Sequence, residues 1–422
     1  MPASSAESKC SLGTITALGY AVLLMLALPL YPGSGRLAAA DLLVPLMLLQ
    51  CWKQRGTVLK FCRTEGRELT IAAFLAVAAV AAQFIFTGSA ALYDLAVLGY
   101  MLLIFVFYLV TPLPAALSCA VGAAILTIIF TGWIAARLGI IGGLDFIDPN
   151  MVPGESGGVL ARRYQFLFSN PNMLGSAFAL PVAMMLPWLK RRFAGIRGWL
   201  PALALCAACF VACLPLLDTV SKHLVLTLAL LAPLCAEFPA FAPLKPRLLS
   251  AFLLAAAVTG ALITVWFCTA PAVSNPPWVD FSRRGNYTTH QEIYLSIITK
   301  DGIRGALVGY SPAYLKDAYP KHADREKIAE ILTPYGAGNL ADTFASFMDP
   351  HNEYLNFASH FGIPALIFLL AFLLRTAWKH RTDDTIFFVA ALLATFFWED
   401  MASKRWIWAT LAALIASRRQ IG

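Results

Sequence analysis

The chain is predicted to be an all-α polytopic membrane protein. Three observations carry this: a composition unsuited to water, a series of apolar runs of spanning length, and basic residues sorted to alternate connections. Of the 422 residues, 59% are hydrophobic and only 13% charged, with a mean hydropathy of +0.69, so lipid is the solvent for most of the surface. In hydrocarbon every backbone polar group needs an internal partner, which restricts spanning structures to helices and closed barrels. Runs long enough to cross about 30 Å at roughly 1.5 Å per residue select helices.

The spans are predicted at Leu12–Leu30, Leu37–Trp52, Leu69–Thr87, Ala91–Thr111, Ala115–Ala136, Asn172–Leu189, Trp199–Leu217, Ser221–Phe238, Leu248–Thr269, Glu353–Arg375, Thr385–Trp398 and Arg405–Ser417, about twelve in all. Ala38-Ala39-Ala40 mimics a signal-peptide cleavage site after the first of them. Its apolar core is long and Arg36 intervenes, so an uncleaved helix is expected.

Charge then sets the orientation, because Lys and Arg accumulate in short cytoplasmic connections. With the first residue inside, seventeen basic residues fall in cytoplasmic segments: Lys9, Lys53 to Arg67, Lys190 to Arg197, Lys245 and Arg247, Arg375 to Arg381, and Arg418 with Arg419. Short outside loops hold only Arg36, Lys222, Lys404 and Arg405. The net charge of +8 is therefore a topology signal and not a nucleic-acid footprint. Both termini are expected in the cytoplasm.

This divides the chain into residues 1–136 (spans one to five), 137–171 (a first outside loop), 172–269 (spans six to nine), 270–352 (a large outside loop) and 353–422 (spans ten to twelve). Connections of such length are usually functional. Helical patterning at Gln291–Thr299 and Lys321–Leu332 predicts that the large loop is a partly helical cap. Nine cysteines lie in or beside apolar runs and none between Thr269 and Glu353, so no disulfide framework is expected. Cys206, Cys209 and Cys213 share a helical face with no His or acidic partner, which favours packing over metal or redox work.

The two long loops also hold eleven basic residues against the topological trend. Lys316 to Lys327 are interleaved with Asp317, Asp324 and Glu326, as on a solvated face. The pairs Arg162/Arg163 and Arg283/Arg284 have few acidic neighbours; an anionic ligand or lipid headgroups account for them.

Three polar motifs open helices that run inward from the outside: Ser169-Asn170-Pro171-Asn172, Thr219-Val220-Ser221-Lys222-His223 and Asp349-Pro350-His351-Asn352-Glu353. Each begins with a capping residue, and in the first and third a proline takes the first helical position. Helix starts attract anions through unpaired N–H groups and the positive pole of the dipole. Plain capping accounts for Asn170 and Asp349 and leaves Asn172, Lys222 and His351 unexplained. His351, expected in the first turn of its helix, would be held neutral by that pole, with Glu353 opposing modestly, and a neutral interfacial imidazole suits a general base.

His351-Asn352, nine residues, then Gly362-Ile363-Pro364-Ala365 resembles the H-[NSQ]-x9-G-x-x-[GTY] signature of O-antigen ligases, within the superfamily that includes O-antigen polymerases and O-oligosaccharyltransferases. Ala365 departs from the expected Gly, Thr or Tyr. Arg163 followed by Phe166 to Asn172 looks like the family's arginine and N-P-N element, and Ser221-Lys222 stands where Ser-Arg is usual, keeping charge but losing bidentate geometry. Gly305–Ser311 is similar to its glycine-rich turn, with Tyr310-Ser311 in place of the second glycine. Arg283 and Arg284 resemble the arginine element before that turn at a longer spacing, and His290 is the other occupant of that place. The likeness covers Arg162 to Trp408; the first five spans match in hydropathy only.

The resemblance implies a GT-C-like glycosyltransferase in a bacterial inner membrane. It would carry a preassembled glycan from undecaprenyl diphosphate to lipid A–core at the periplasmic face, with membrane lipid around it and no nucleic-acid partner. Arg163, Lys222 and Arg283 or Arg284 would hold the diphosphate, with Arg162 and His290 supporting. His351 would take or orient the acceptor proton, and Asn170, Asn172 and Asn352 would cap and position. An O-antigen polymerase, whose acceptor is another lipid-linked repeat, is the near alternative, and a lipid-linked glycan transporter without chemistry the distant one. In spans only Asp41 and Asp94 are acidic and deep, and pairing with polar neighbours accounts for both. No D-x-D occurs, and the single D-x-E, Asp324-Arg325-Glu326, lies on the solvated face, so neither cofactor nor metal is expected.

Overall fold

A computed structural model describes residues 11–26, 38–138, 140, 176–192, 281–300, 302–333, 341–346, 350, 352–380, 384–396 and 404–419. Among these the chain is helical throughout, without a strand. The helices are α1 (Leu12–Met25), α2 (Val44–Lys53), α3 (Arg55–Arg63), α4 (Arg67–Thr87), α5 (Leu92–Val110), α6 (Ala115–Arg137), α7 (Ala179–Arg192), α8 (Phe281–Lys300), α9 (Gly302–Val308), α10 (Pro312–His322), α11 (Arg325–Leu332), α12 (Ala341–Phe344), α13 (Glu353–Lys379), α14 (Asp384–Thr395) and α15 (Arg405–Arg419). Four of them, α4, α5, α6 and α13, are long and apolar enough to cross a membrane, and α1, α7 and α15 are shorter apolar helices.

Local chemistry sets the ends of these helices. Ser11 caps α1, its hydroxyl accepting from the Thr14 N–H at 3.1 Å. Gly88, at φ 69, ends α4 in the left-handed conformation that suits glycine. Pro112 and Pro114 separate α5 from α6.

The predicted second span is not one long helix. A 3-10 turn at Ala39–Leu43 leads into α2, whose ten residues rise only about 15 Å. After Gln54 the chain becomes helical again as α3, where a cytoplasmic connection was expected. This helix exposes Arg55, Lys60 and Arg63 and buries Phe61. The Lys321–Leu332 prediction also divides: α10 ends at His322, and Asp324 caps α11 by accepting from the Lys327 N–H at 3.1 Å. Gln291–Thr299 lies within α8, which begins ten residues earlier.

Helices α4 and α13 run antiparallel in close contact. Glu68 pairs with Arg375 and Glu65 with Lys379 near one end, while Gln83 meets the His360 carbonyl near the other. Fifteen residues separate Glu68 from Gln83 and His360 from Arg375, about 22 Å of rise along α4, so the two helices stay in contact over that length. The centre of the bundle is aromatic. Phe105, fully buried on α5, touches Phe61 at 5.7 Å and both Phe372 and Trp408 at 5.8 Å, joining α3, α13 and α15 through large desolvated rings.

A polar network closes one side of this core. The Asp41 carboxylate accepts from the Ala38 N–H at 2.8 Å, from Arg405 at 2.7 Å and from the Tyr100 hydroxyl. Tyr20 and Tyr100 hydroxyls lie 3.1 Å apart, and the Arg405 guanidinium covers the Tyr100 ring at 5.1 Å. The deep Asp41 is thus matched by charge and hydrogen bonds.

Candidate functional site

The candidate site is built where α13 breaks. Its residue 364 is proline, so the carbonyl of His360 lacks the N–H that an unbroken helix would supply. Gly362 leaves helical geometry altogether, at φ 80 and ψ 159. The exposed carbonyls find partners outside the helix. Gln83 donates its side-chain amide to His360 O at 2.7 Å and to Val308 O at 3.0 Å. The Tyr310 N–H donates to Ser359 O at 2.6 Å.

The turn after α9 therefore docks backbone against backbone into the break. Gly309 has φ 73, and a Cβ there would lie 2.8 Å from Ser359 O and from His360 C. A Cβ on Gly362 would run into the Leu307 carbonyl. Both positions need glycine for space and for dihedral freedom. Tyr310 folds its ring over Gly305, and its hydroxyl donates to Ile297 O at 3.2 Å; the ring stacks on Tyr314 at 5.0 Å. The residue that breaks the expected glycine pattern thereby ties the turn to α8.

Polar groups gather around this junction. The Gln83 carbonyl oxygen accepts from the Ala91 N–H at 3.1 Å, linking the α4–α5 connection to the same knot. Ser89 and Ser311 hydroxyls meet at 2.7 Å, and Ser311 also caps α10 by accepting from the Tyr314 N–H at 3.2 Å. Asp94, in the first turn of α5, lies 3.6 Å from Nδ1 of His360, an ion-pair distance and not a hydrogen bond. No group of three His, Cys, Asp or Glu side chains among the described residues gathers as a metal site.

No family model and no curated protein matches the chain.

Of the residues singled out by sequence, the described ones fall at two places. Asn352 caps α13, its side-chain oxygen accepting from the Leu355 N–H at 3.1 Å. The helix thus begins at Glu353, where the predicted span begins, and Pro350 is not its first helical residue; the readings of Asp349 as a cap and of His351 fall on residues outside the described ones. The Glu353 N–H donates to Phe396 O at 2.7 Å, and its side chain is buried at the same end. Two backbone donors of this helix start are consumed internally, which removes them from any anion.

His290 is fully buried on α8, with Nδ1 bonded to the Tyr319 hydroxyl of α10. Burial pushes the Tyr319 phenol above its ordinary value, keeping it protonated. His290 therefore packs α8 against α10. Arg283 and Arg284 belong to the first turn of α8. His351, Arg162, Arg163, Asn170, Asn172, Lys222 and the cysteines 206, 209 and 213 lie outside the described residues.

Gln83, which ties this junction together, carries no charge and is not among the residues that the sequence motifs single out. Its signal was an amide in the otherwise apolar run Ile71–Phe86, since a polar side chain in a span calls for a named partner.

Proposed function

We propose that the protein is an O-antigen ligase. The reading is supported by the contact of Gly309 with Gly362, because the glycine turn and the glycine of the His-Asn-x9-Gly element, distant in sequence, pack on each other. Two segments identified separately by resemblance thus form one junction, on the same helix that Asn352 caps.

In this reading about twelve spans form a GT-C-like bundle in a Gram-negative inner membrane, with both termini cytoplasmic and the junction periplasmic. The donor is a glycan on undecaprenyl diphosphate and the acceptor a sugar hydroxyl of lipid A–core. The acceptor oxygen attacks the anomeric carbon, the bond from that carbon to the diphosphate oxygen breaks, and its electron pair leaves with the diphosphate. His351 receives the acceptor proton. Arg163, Lys222 and Arg283 or Arg284 hold the diphosphate and stabilise its growing charge without a divalent ion. The junction keeps α13 and the large loop in one register, and so sets where His351 is presented.

The test is reconstitution in vesicles with purified lipid-linked glycan and lipid A–core. Wild type is expected to form product in the presence of EDTA, and His351→Ala and Arg163→Ala to lose it. Undiminished product from His351→Ala ends the general-base role. Product formed only when a lipid-linked repeat replaces lipid A–core assigns the chain to polymerisation.

A further inference from the structure

Helix α9 belongs by sequence to the large loop, yet it stands alongside the bundle and not above it. Its last residue, Val308, is held by Gln83, four residues short of the end of α4. Its Arg304 guanidinium lies 4.1 Å from the Phe86 ring centroid in the last turn of α4. Gly309 contacts α13 at Ser359 to Gly362, well inside that helix and not at its start. Gly302, at φ 79, opens α9 after the chain leaves α8, the conformation in which glycine is favoured.

At this level α9 turns its apolar side outward. Ile303 is 81% exposed and Leu307 54%, and their i, i+4 spacing puts them on one helical face. Phe86 and Ile85 of α4, 60% and 76% exposed, carry apolar surface of the same kind onto a helix of membrane-spanning length. Water does not favour such a continuous surface, whereas a helix lying at a bilayer boundary requires it. Arg304 completes the pattern, an aliphatic stem among apolar groups with a charged head at the end of the span.

We propose that α9 seats a phospholipid of the adjoining leaflet, acyl chains against Ile303, Leu307 and Phe86 and the phosphate on the Arg304 guanidinium. Continuity with the apolar face of α4 selects a lipid over a peptide, and the cation selects an anionic headgroup. The inference depends on this surface alone and is independent of glycosyl transfer.

Full-length protein carrying the photocrosslinker benzoylphenylalanine at position 303, 307, 85 or 326 is reconstituted in vesicles of equimolar phosphatidylglycerol and phosphatidylcholine. Irradiation is followed by mass spectrometry of the adducts. Positions 303 and 307 are expected to yield phospholipid adducts as position 85 does, and position 326, on exposed α11, to yield none. Phosphatidylglycerol adducts should exceed phosphatidylcholine adducts by about fivefold, the preference of one cation at a membrane surface. Arg304→Gln should bring that ratio to roughly one. Adducts at 85 without adducts at 303 and 307 overturn the seat. An unchanged ratio in Arg304→Gln overturns the phosphate contact.

Discussion

The side-chain amide of Gln83 donates to the carbonyl oxygen of His360 at 2.7 Å, and that oxygen is available because Pro364 cannot donate to it. One proline on α13 and one glutamine on α4 are therefore complementary. The same amide group holds Val308 and Ala91 as well, so three segments converge on a side chain only 3% exposed.

Gln83→Leu should be markedly destabilising. It leaves the His360 and Val308 carbonyls and the Ala91 N–H without this partner, and unmet buried groups cost about 1–3 kcal/mol each in soluble proteins, with roughly 0.6 kcal/mol typical of interhelical bonds in membranes. A net loss of about 2 kcal/mol is expected, read as a lowered midpoint of thermal unfolding in detergent. An unchanged midpoint removes Gln83 from its role as the tie.

Gly362→Ala and Gly309→Ala should each separate α9 from α13. Both add a Cβ where backbone atoms already stand and force a left-handed dihedral on a residue with a side chain, a strain of about 1–3 kcal/mol before the clash is counted. Limited proteolysis after α9 should accelerate, and the proposed glycan transfer should fall with it. Wild-type protease resistance in both variants contradicts the docking described above.

Asp41→Asn should unfold more readily than Arg405→Met combined with Asp41→Asn. Removing one member of a largely buried pair strands the other, at about 3–5 kcal/mol, whereas removing both is milder. The double-mutant cycle on thermal stability measures this. Additivity of the two single changes would show the pair to be uncoupled.

Alkaline stability should depend in part on Tyr319. Burial raises its folded pKa above the ordinary 10.0, so above pH 10 the unfolded chain releases a proton that the folded chain retains. Stability is present in full below that pH and declines as pH rises toward the folded value. Melting followed from pH 8 to pH 11 should show a shallower decline in Tyr319→Phe than in wild type. Identical slopes would remove the linkage.

Particular elements show what was legible in sequence. The spans predicted at Leu69–Thr87, Ala91–Thr111 and Ala115–Ala136 reappear as α4, α5 and α6 within two residues at each end, because an unbroken apolar run has only one way to satisfy its backbone in lipid. The span predicted from Glu353 begins where α13 does, whereas the motif reading with Pro350 at the first helical position does not hold, since more than one residue before the helix is a competent cap and local pattern does not choose between them. Helix α3 was read as a connection because its basic residues masked the single buried Phe61.

Hydropathy thus determined, from the chain alone, that this is a helical protein with membrane-spanning elements and where its long helices run, but it predicts α13 as one unbroken span, and the break at Gly362-Ile363-Pro364 came from the structure. Which groups would take the carbonyls freed at that point was decided only by tertiary structure. Their partners, Gln83 and Tyr310, come from remote segments, and a hydrogen bond between distant residues leaves no periodicity along the chain. The pairing of Asp41 with Arg405, at opposite ends of the sequence, was settled in the same way, by the packing of helices that bring two charges out of water together.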